Sequence, residues 1–192
     1  HYFNLAAEQN NKYGQYYLGV LYNAGVFLPH DLNLAIHYFT LASQQDLVEA
    51  QYNLGLIYKR CQDLDKAHYY LSLAASNNFA MAQNELGCVY YEKNDIENAI
   101  YYFSLAAKQN YTHSLFNLGL IYYERKDADK TIHYFSLASE LNNEMAQTNL
   151  GIIYHKGDLV PKDPLIAIHY FTLAAKKNIA AAQVNLGYMY HT

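Results

Sequence analysis

A Leu-Gly pair recurs six times along this chain of 192 residues. Its leucines are Leu18, Leu54, Leu86, Leu118, Leu150 and Leu186, so the spacings are 36, 32, 32, 32 and 36 residues. A second phrase, Tyr-Phe-x-Leu-Ala, begins at Tyr2, Tyr38, Tyr70, Tyr102, Tyr134 and Tyr170, with Leu71 replacing Phe in one copy. It keeps the same five spacings. Two phrases that stay in step along the whole chain define a tandem array of one structural unit.

Each Leu-Gly pair lies in a predicted amphipathic helix, named helix A. Counting from the leucine as zero, position +3 is apolar, position +4 is always Tyr, and position −4 is a small residue. These positions share one face of a helix with 3.6 residues per turn. Glycine at +1 borders that face and costs roughly 1 kcal/mol relative to alanine in a helix. We therefore expect a second helix to approach closely at this glycine.

The Tyr-Phe phrase lies in that second helix, named helix B. An aspartate stands seven residues before the phrase in all five complete repeats, at Asp31, Asp63, Asp95, Asp127 and Asp163. Because a carboxylate accepts hydrogen bonds from the free amides that open a helix, we predict five N-caps rather than a metal site. Helix B ends at Asn10, Asp46, Asn78, Asn110, Asn142 and Asn178. Asn and Asp tolerate the left-handed conformation that stops a helix.

Three stretches, AQYNLGLIY (50–58), GDLVPKD (157–163) and AIHYFTLAAKKN (167–178), resemble the Sel-1-like repeat, a relative of the tetratricopeptide repeat. The resemblance implies an all-α, right-handed α/α superhelical solenoid of helix-turn-helix repeats, with about twelve helices. It also implies an adaptor or scaffold role; some relatives act in endoplasmic-reticulum quality control and others in bacterial secretion or host interaction. The chain departs from the family in its Asn or Asp stops, where glycine is usual. Its three 32-residue units also have turns of tetratricopeptide length.

The repeats predict a single domain over residues 1–192, with five complete repeats and a half repeat at each end. Because the chain opens within a helix B and closes within a helix A, we expect a fragment of a longer array. Alternatively, the two ends pack against another surface, since solenoids need capped ends.

Composition argues against several classes of partner. The net charge is −4 and charged residues make up 16% of the chain, which leaves no basic stripe for nucleic acid. No apolar run approaches the roughly 18 residues of a membrane span, so we expect no direct membrane insertion. Cys61 and Cys88 occupy different repeat positions and are predicted to lie beyond disulfide reach. Two free thiols slightly favour the cytoplasm, while the endoplasmic-reticulum lumen and secretion stay open.

We predict no catalytic, cofactor or metal site. His1, His37, His133 and His169 share one position of helix B. Packed helices lie about 10 Å apart, which is too far for ligands that each need to be about 2 Å from one zinc ion. No phosphate loop or zinc-type Cys/His spacing is present. The resemblance offers a hydrolase of a cysteine-rich branch as another alternative, but this chain lacks the paired cysteines of that branch.

A partner-binding groove is predicted on the side of helix A opposite its buried face, at positions −2, +2 and +5. In solenoids of this kind the A helices line the concave side, and exposed aromatic residues are typical binding anchors. The candidate residues are Tyr16, Tyr52, Leu56, Lys59, Asn84, Tyr91, Phe116, Leu120, Tyr123 and His155. Position +2 has a second interpretation, packing between neighbouring A helices. The tyrosines at +4 and the Tyr-Phe pairs are predicted to be core.

These features favour a non-enzymatic protein–protein interaction scaffold. Tetratricopeptide relatives often clamp a terminal carboxylate with an Asn after the glycine, but that position holds Val, Leu, Cys, Leu, Ile and Tyr here. An extended or helical partner segment held by apolar contacts therefore fits better. The alternative is a structural subunit of a large permanent assembly, with its groove and ends buried against neighbouring subunits.

Overall fold

The structure is a computed structural model that describes residues 1–191, and these residues form twelve α-helices and no β-strand. The predicted all-α fold of helix-turn-helix repeats is confirmed. The helices belong to two compact units, His1–Lys93 and a second unit that begins at Asn94. That residues 1–192 form a single domain stays a prediction.

Even-numbered helices are the predicted A helices and odd-numbered helices are the predicted B helices. The first unit contains α1 (Tyr2–Glu8), α2 (Lys12–Ala24), α3 (Leu32–Ser43), α4 (Val48–Arg60), α5 (Leu64–Ser76) and α6 (Ala80–Glu92). The second unit contains α7 (Ile96–Ala107), α8 (Thr112–Glu124), α9 (Ala128–Glu140), α10 (Glu144–Lys156), α11 (Pro164–Ala175) and α12 (Ala180–His191). Within each unit, every helix packs against the next one along the chain.

The glycine of helix A is the point of closest approach between the two helices of a hairpin. A Cβ added there would lie only 2.4–2.7 Å from a side-chain atom of the following helix B. The contacting pairs are Gly19 with Phe39, Gly55 with Leu71, Gly119 with Phe135 and Gly151 with Phe171. This confirms the predicted close approach, which explains why a residue with poor helix propensity is retained in an apolar helix.

Each hairpin core is built from the same few positions. Phe39, for example, is fully buried together with Ala35 and Ala42 of its own helix and Leu54 of the next helix A. In the second unit, Phe135 takes the same place in a cluster with Leu115, Ala138, Ala146, Leu150 and Ile153. The alanines let the helices pack closely, and the 3.6-residue period places the larger side chains on one face.

The predicted helix boundaries are confirmed at both ends of helix B. All five aspartates accept hydrogen bonds from backbone amides in the first turn of their helix. The stop residues Asn10, Asp46, Asn78, Asn110, Asn142 and Asn178 all have φ between 57° and 64°. The sequence therefore encodes both ends of helix B locally, through side chains suited to a cap and to a left-handed stop.

Turns of two lengths join helix A to helix B with one shared hydrogen bond. The N-cap amide of Asp63 donates to the carbonyl oxygen of Tyr58 at 3.0 Å across a short turn. The amide of Asp163 donates to Tyr154 in the same way across a long turn, at 2.9 Å. The long turns leave helix A through a left-handed glycine, Gly157 in this case, with φ of 72°. The four extra residues therefore form an excursion that leaves the hairpin ends in place.

Most of the tyrosines predicted to be core residues, at +4 and in the Tyr-Phe pairs, are not fully buried. The second residue of the pair is buried in five copies, Phe39, Leu71, Phe103, Phe135 and Phe171, whereas Phe3 is 42% exposed. The tyrosines are at most half-buried, apart from Tyr122 at 9% exposure. They stack across the hairpin with ring centroids 5.6–6.3 Å apart, in the pairs Tyr22–Tyr38, Tyr58–Tyr70, Tyr122–Tyr134 and Tyr154–Tyr170. A phenol has an apolar ring and a polar tip, so it suits the edge of the core, where its oxygen can reach water.

The glycine contact predicts a matched pair of substitutions. Gly119→Ala places a Cβ against the ring of Phe135, so we expect overpacking to destabilise the protein by about 1–3 kcal/mol. Gly187 holds the same repeat position in α12, but an added Cβ there meets no atom within 4 Å. Gly187→Ala should therefore leave the stability unchanged or raise it by up to about 1 kcal/mol. Urea denaturation followed by circular dichroism measures both, and equal destabilisation would contradict the packing role.

Candidate partner-binding surface

Neighbouring A helices of the first unit are linked by polar side chains on the side away from the hairpin core. Arg60 of α4 donates to the amide oxygen of Asn23 in α2 at 3.2 Å. Lys59 of α4 reaches across to α6, where its ammonium lies 3.0 Å from the Glu85 carboxylate. We call the side of the A helices that carries positions −2, +2 and +5 the A face, and treat it separately in each unit.

Lys59 is the polar centre of the A face in the first unit. Its ammonium also lies 3.9 Å from the carboxylate of Glu92, and its side chain is 27% exposed. Burial lowers the pKa of Lys59, but the hydrogen bond and charge of Glu85, with the charge of Glu92, outweigh it and raise the pKa overall. The lysine therefore stays charged at neutral pH and is held between the two carboxylates.

A shallow pocket of about 470 Å³ surrounds this ion pair. Its lining combines two leucines with charged side chains of both signs: Leu56, Lys59, Arg60, Gln62, Leu64, Glu85 and Glu92. Of the ten predicted partner-binding residues, Leu56 and Lys59 are thus brought together in one concavity.

Position −2 is less exposed than predicted because its aromatic rings pack onto rings of the core. The ring of Tyr16 lies 5.8 Å from that of Phe39, and the ring of Tyr52 lies 5.3 Å from that of Phe79. Both tyrosines are half-buried. One side of each ring is therefore fixed by the fold, and only the remainder can meet a partner.

Asn84 corrects the prediction at this position. Its side chain is only 6% exposed, so it does not offer the partner-facing surface expected of it. Its Nδ2 lies 3.9 Å from the sulfur of Cys88, one turn further along the same helix. Tyr91 at position +5 is, in contrast, 38% exposed.

The A face of the second unit has a hydroxyl–carboxylate contact in place of the lysine pair. The phenol of Tyr123 donates to Asp158 at 3.0 Å, and this hydrogen bond, with smaller effects of burial and charge, raises the pKa of Tyr123. Phe116 is half-buried with its ring 5.7 Å from that of Phe135. Leu120 is also half-buried, and His155 is exposed.

Position +2 combines the two interpretations that the sequence left open. Val20 and Leu120 pack against the buried cluster of the following repeat, and both keep part of their surface in solvent. The same half-burial is found at Leu56 and Ile152. These four apolar residues are therefore partly available to a partner on each A face, and Tyr188, at the same position in α12, is 67% exposed.

Sequence reasoning missed the charged residues that surround these positions. Glu85 and Glu92 lie at positions −1 and +6, and Asp158 lies in the long turn after α10. In the sequence, these residues could have been found as charged positions next to the apolar positions of helix A. Their pairing depends on which helices are neighbours, so it required the fold.

The described residues offer little to a catalytic interpretation. Residues 1–191 contain no group of three His, Cys, Asp or Glu side chains able to hold a metal ion. Burial, with the nearby charge of Glu85, raises the pKa of the Cys88 thiol to about 11. A protonated, half-buried thiol is a poor nucleophile.

None of the described helices is long and apolar enough to cross a membrane.

The geometry defines an all-α array of helical hairpins of the Sel1 and tetratricopeptide class. The Sel1 repeat family matches residues 1–11, 12–47, 80–111, 144–179 and 180–192, and a tetratricopeptide repeat family matches 48–78 and 112–145. Because the Sel1 matches cover more than half of the sequence, the chain belongs to the Sel1 repeat family. Repeats of these two families generally serve as protein-interaction scaffolds.

Solved structures support this assignment. A Sel1 repeat protein from Oxalobacter formigenes is 29% identical, with a TM-score of 0.86 over 98% of this chain and 58% of its own. A protective antigen of uropathogenic Escherichia coli strains, which displays the same repeat fold, is 26% identical, with a TM-score of 0.85 over 98% of this chain and 43% of its own. An immunity protein from Pseudomonas aeruginosa, at 22% identity and a TM-score of 0.61 over 91% of this chain and 71% of its own, shares the fold alone.

The chain thus spans about half the length of the first two of these proteins. No curated protein matches it.

The two cysteines provide a pH-dependent prediction. With the pKa of Cys88 at about 11, only on the order of 0.1% of this thiol is ionised at pH 8. The Cys61→Ser variant, which retains Cys88, should react with iodoacetamide far more slowly than Cys88→Ser, which retains the exposed Cys61. The rate at Cys88 should also keep rising beyond pH 10. A rate that reaches its plateau by about pH 10 would show that Cys88 has an ordinary thiol pKa, near 8.5.

Proposed function

We propose that this chain is a non-enzymatic scaffold that holds an extended or helical segment of a protein partner on the A faces of its repeats. The proposal builds on the Sel1 and tetratricopeptide families, which generally serve protein interaction. It excludes Asn84 from the contact surface and retains Tyr16, Tyr52, Leu56, Lys59, Tyr91, Phe116, Leu120, Tyr123 and His155.

The pocket around Lys59 is the observation that carries the proposal. Leu56 and Leu64 supply apolar surface, and Lys59, Glu85 and Glu92 stand around it with both signs of charge. An apolar side chain from a partner would bury surface against the leucines, which is favourable by roughly 25 cal/mol per Å². Flanking polar groups of that partner would exchange hydrogen bonds with the charged rim. This combination of an apolar anchor and a polar rim is typical of protein interfaces.

The second unit offers a comparable surface on its own A face. Phe116 and Leu120 provide half-buried apolar surface, and Tyr123 is held in place by its hydrogen bond to Asp158. A tyrosine that is already fixed loses little conformational freedom when a partner binds. These side chains are therefore preorganised anchors.

The chemistry of Cys88 supports the non-enzymatic part of the proposal. Its raised pKa is the opposite of what a nucleophilic cysteine requires. In the first unit, the Lys59 ammonium of the A face is paired with the carboxylates of Glu85 and Glu92. This pairing suits a surface that docks a partner.

Site-specific photocrosslinking tests which face holds the partner. A photoreactive phenylalanine analogue replaces Tyr91 on the A face, and in a second protein it replaces Tyr101, which is 56% exposed on helix B α7. In extracts of the native source we expect one discrete crosslinked polypeptide from position 91 and none of it from position 101. Crosslinking from position 101 alone would reject the A face as the binding surface.

A matched pair of substitutions then measures the energy of the contact. Tyr91→Ser should weaken binding of the purified crosslinked partner by about 30-fold, which corresponds to a hot-spot loss of about 2 kcal/mol. Tyr101→Ser removes the same ring from the other face and should leave the affinity within about twofold. Isothermal titration calorimetry provides both values after circular dichroism has shown equal helicity. Equal losses in the two variants would contradict the proposal.

A further inference from the structure

A second pocket lies in the first unit between the B helices α3 and α5. Its volume is about 350 Å³, and seven of its eight lining residues are polar: Thr40, Ser43, Gln44, Asp46, Gln51, Tyr69, Tyr70 and Leu73. Gln51 is only 2% exposed, and its side-chain oxygen Oε1 accepts no hydrogen bond. A buried acceptor without a donor is unfavourable, so this oxygen marks a place where a donor group would bind.

The first repeat shows how the chain itself supplies such a donor. Gln15 holds the position of Gln51 in α2, and its Oε1 accepts a hydrogen bond from Nε2 of Gln45 at 2.8 Å. The same Nε2 atom lies 3.3 Å from Oδ1 of the left-handed stop residue Asn10. The donor therefore sits between the buried glutamine and the stop residue of the preceding helix B.

The second unit supplies a donor of a different kind near the same place. Lys177 holds the position of Gln45, one residue before a left-handed Asn. Its ammonium donates to the backbone carbonyl oxygen of the stop residue Asn142. This ammonium lies at the stop residue only, because Oε1 of the buried Gln147, which holds the position of Gln51, accepts no hydrogen bond either.

The repeat with the pocket differs from both of these. The equivalent position holds Asn77, whose shorter side chain turns back and donates to Leu73 of its own helix at 2.9 Å. No internal donor therefore reaches Gln51. In addition, the stop residue is Asp46, so a carboxylate replaces the amide of Asn10 and Asn142. A carboxylate beside an unpaired amide oxygen favours a positively charged donor.

We propose that the pocket between α3 and α5 binds a primary alkylammonium group, as carried by a lysine side chain of a protein partner or by a small free amine. The Asp46 carboxylate balances its charge, and the Gln51 Oε1 and Ser43 hydroxyl oxygens accept two of its hydrogens. Its alkyl chain lies against Leu73 and the rings of Tyr69 and Tyr70.

A titration with n-butylammonium chloride tests the site at constant ionic strength. Chemical shifts of the Gln51 side-chain amide and of the Asp46 backbone amide are followed by nuclear magnetic resonance. We expect saturable changes at both residues, with a dissociation constant in the millimolar range, and no saturation with the neutral analogue n-butanol. Absence of saturation with butylammonium, or equal binding of butanol, would overturn the proposal.

Two substitutions taken from the chain's own repeats make the test specific. Asp46→Asn installs the residue found at Asn142, which keeps the left-handed stop but removes the charge, and should weaken butylammonium binding at least tenfold. Asn77→Gln installs the residue found at Gln45, whose Nε2 donates to the equivalent buried glutamine, so it should donate to Gln51 Oε1, weaken butylammonium binding and raise the melting temperature. Binding unchanged from the wild-type chain in both variants would reject the site. Because both residues occur at equivalent positions of this fold, misfolding is not expected, and circular dichroism checks it.

A further comparison distinguishes the two sources of the ammonium. Nα-acetyl-lysine methylamide carries the same group on a peptide-like backbone. Binding at least tenfold tighter than butylammonium supports a lysine of a protein partner, because the backbone then adds contacts at the mouth of the pocket. Equal affinities support a small free amine.

Discussion

The contact between a bare glycine backbone and a side chain of the next helix is the constraint on which each hairpin depends. At Gly119 the Phe135 ring lies so close that even a methyl group would overlap it. This proximity lets the ring be buried completely, and it brings the small residues of both helices into contact. A Leu71 side chain serves the same purpose at Gly55, so the requirement is apolar bulk rather than aromaticity.

The contact at the glycine is the same in hairpins whose turns differ in length. A hydrogen bond from the N-cap amide to the tyrosine carbonyl closes turns of both lengths, at Asp31, Asp63, Asp127 and Asp163. The backbone positions around Gly119 and Gly151 can therefore be alike although only the second hairpin has a long turn. Insertions in such an excursion change the surface at the end of a hairpin, as Asp158 does by reaching Tyr123.

The two layers of helices in each unit carry different chemistry. The A faces combine half-buried apolar residues with fixed polar groups, such as Lys59 between its two carboxylates. On the other side of the first unit, a buried amide oxygen of Gln51 and the carboxylate of Asp46 line one pocket. One repeat of an array can differ at a single position while other repeats keep their pairing, because each repeat contacts only its neighbours. The replacement of Gln45 by Asn77 in the next repeat is one case of such divergence.

The sequence by itself determined the repeat, the helix ends and the packing direction. Asp127 and Asn142 act within one helical turn of their own backbone, and the glycine at +1 has a direct steric meaning, so these features could be read locally. Tertiary structure decided the exposure of the site residues and their partners. The ring of Tyr52 packs against that of Phe79, and Asn84 is only 6% exposed.

The ion pair of Lys59 with Glu85 joins side chains that are 26 residues apart in the sequence. The side-chain oxygen of Gln51 is unpaired because the side chain of Asn77 is too short to reach it. Local sequence rules describe the backbone within a few residues. Whether two side chains on different helices form a hydrogen bond depends on differences of a few tenths of an ångström in their separation. Only the packed structure determines that separation.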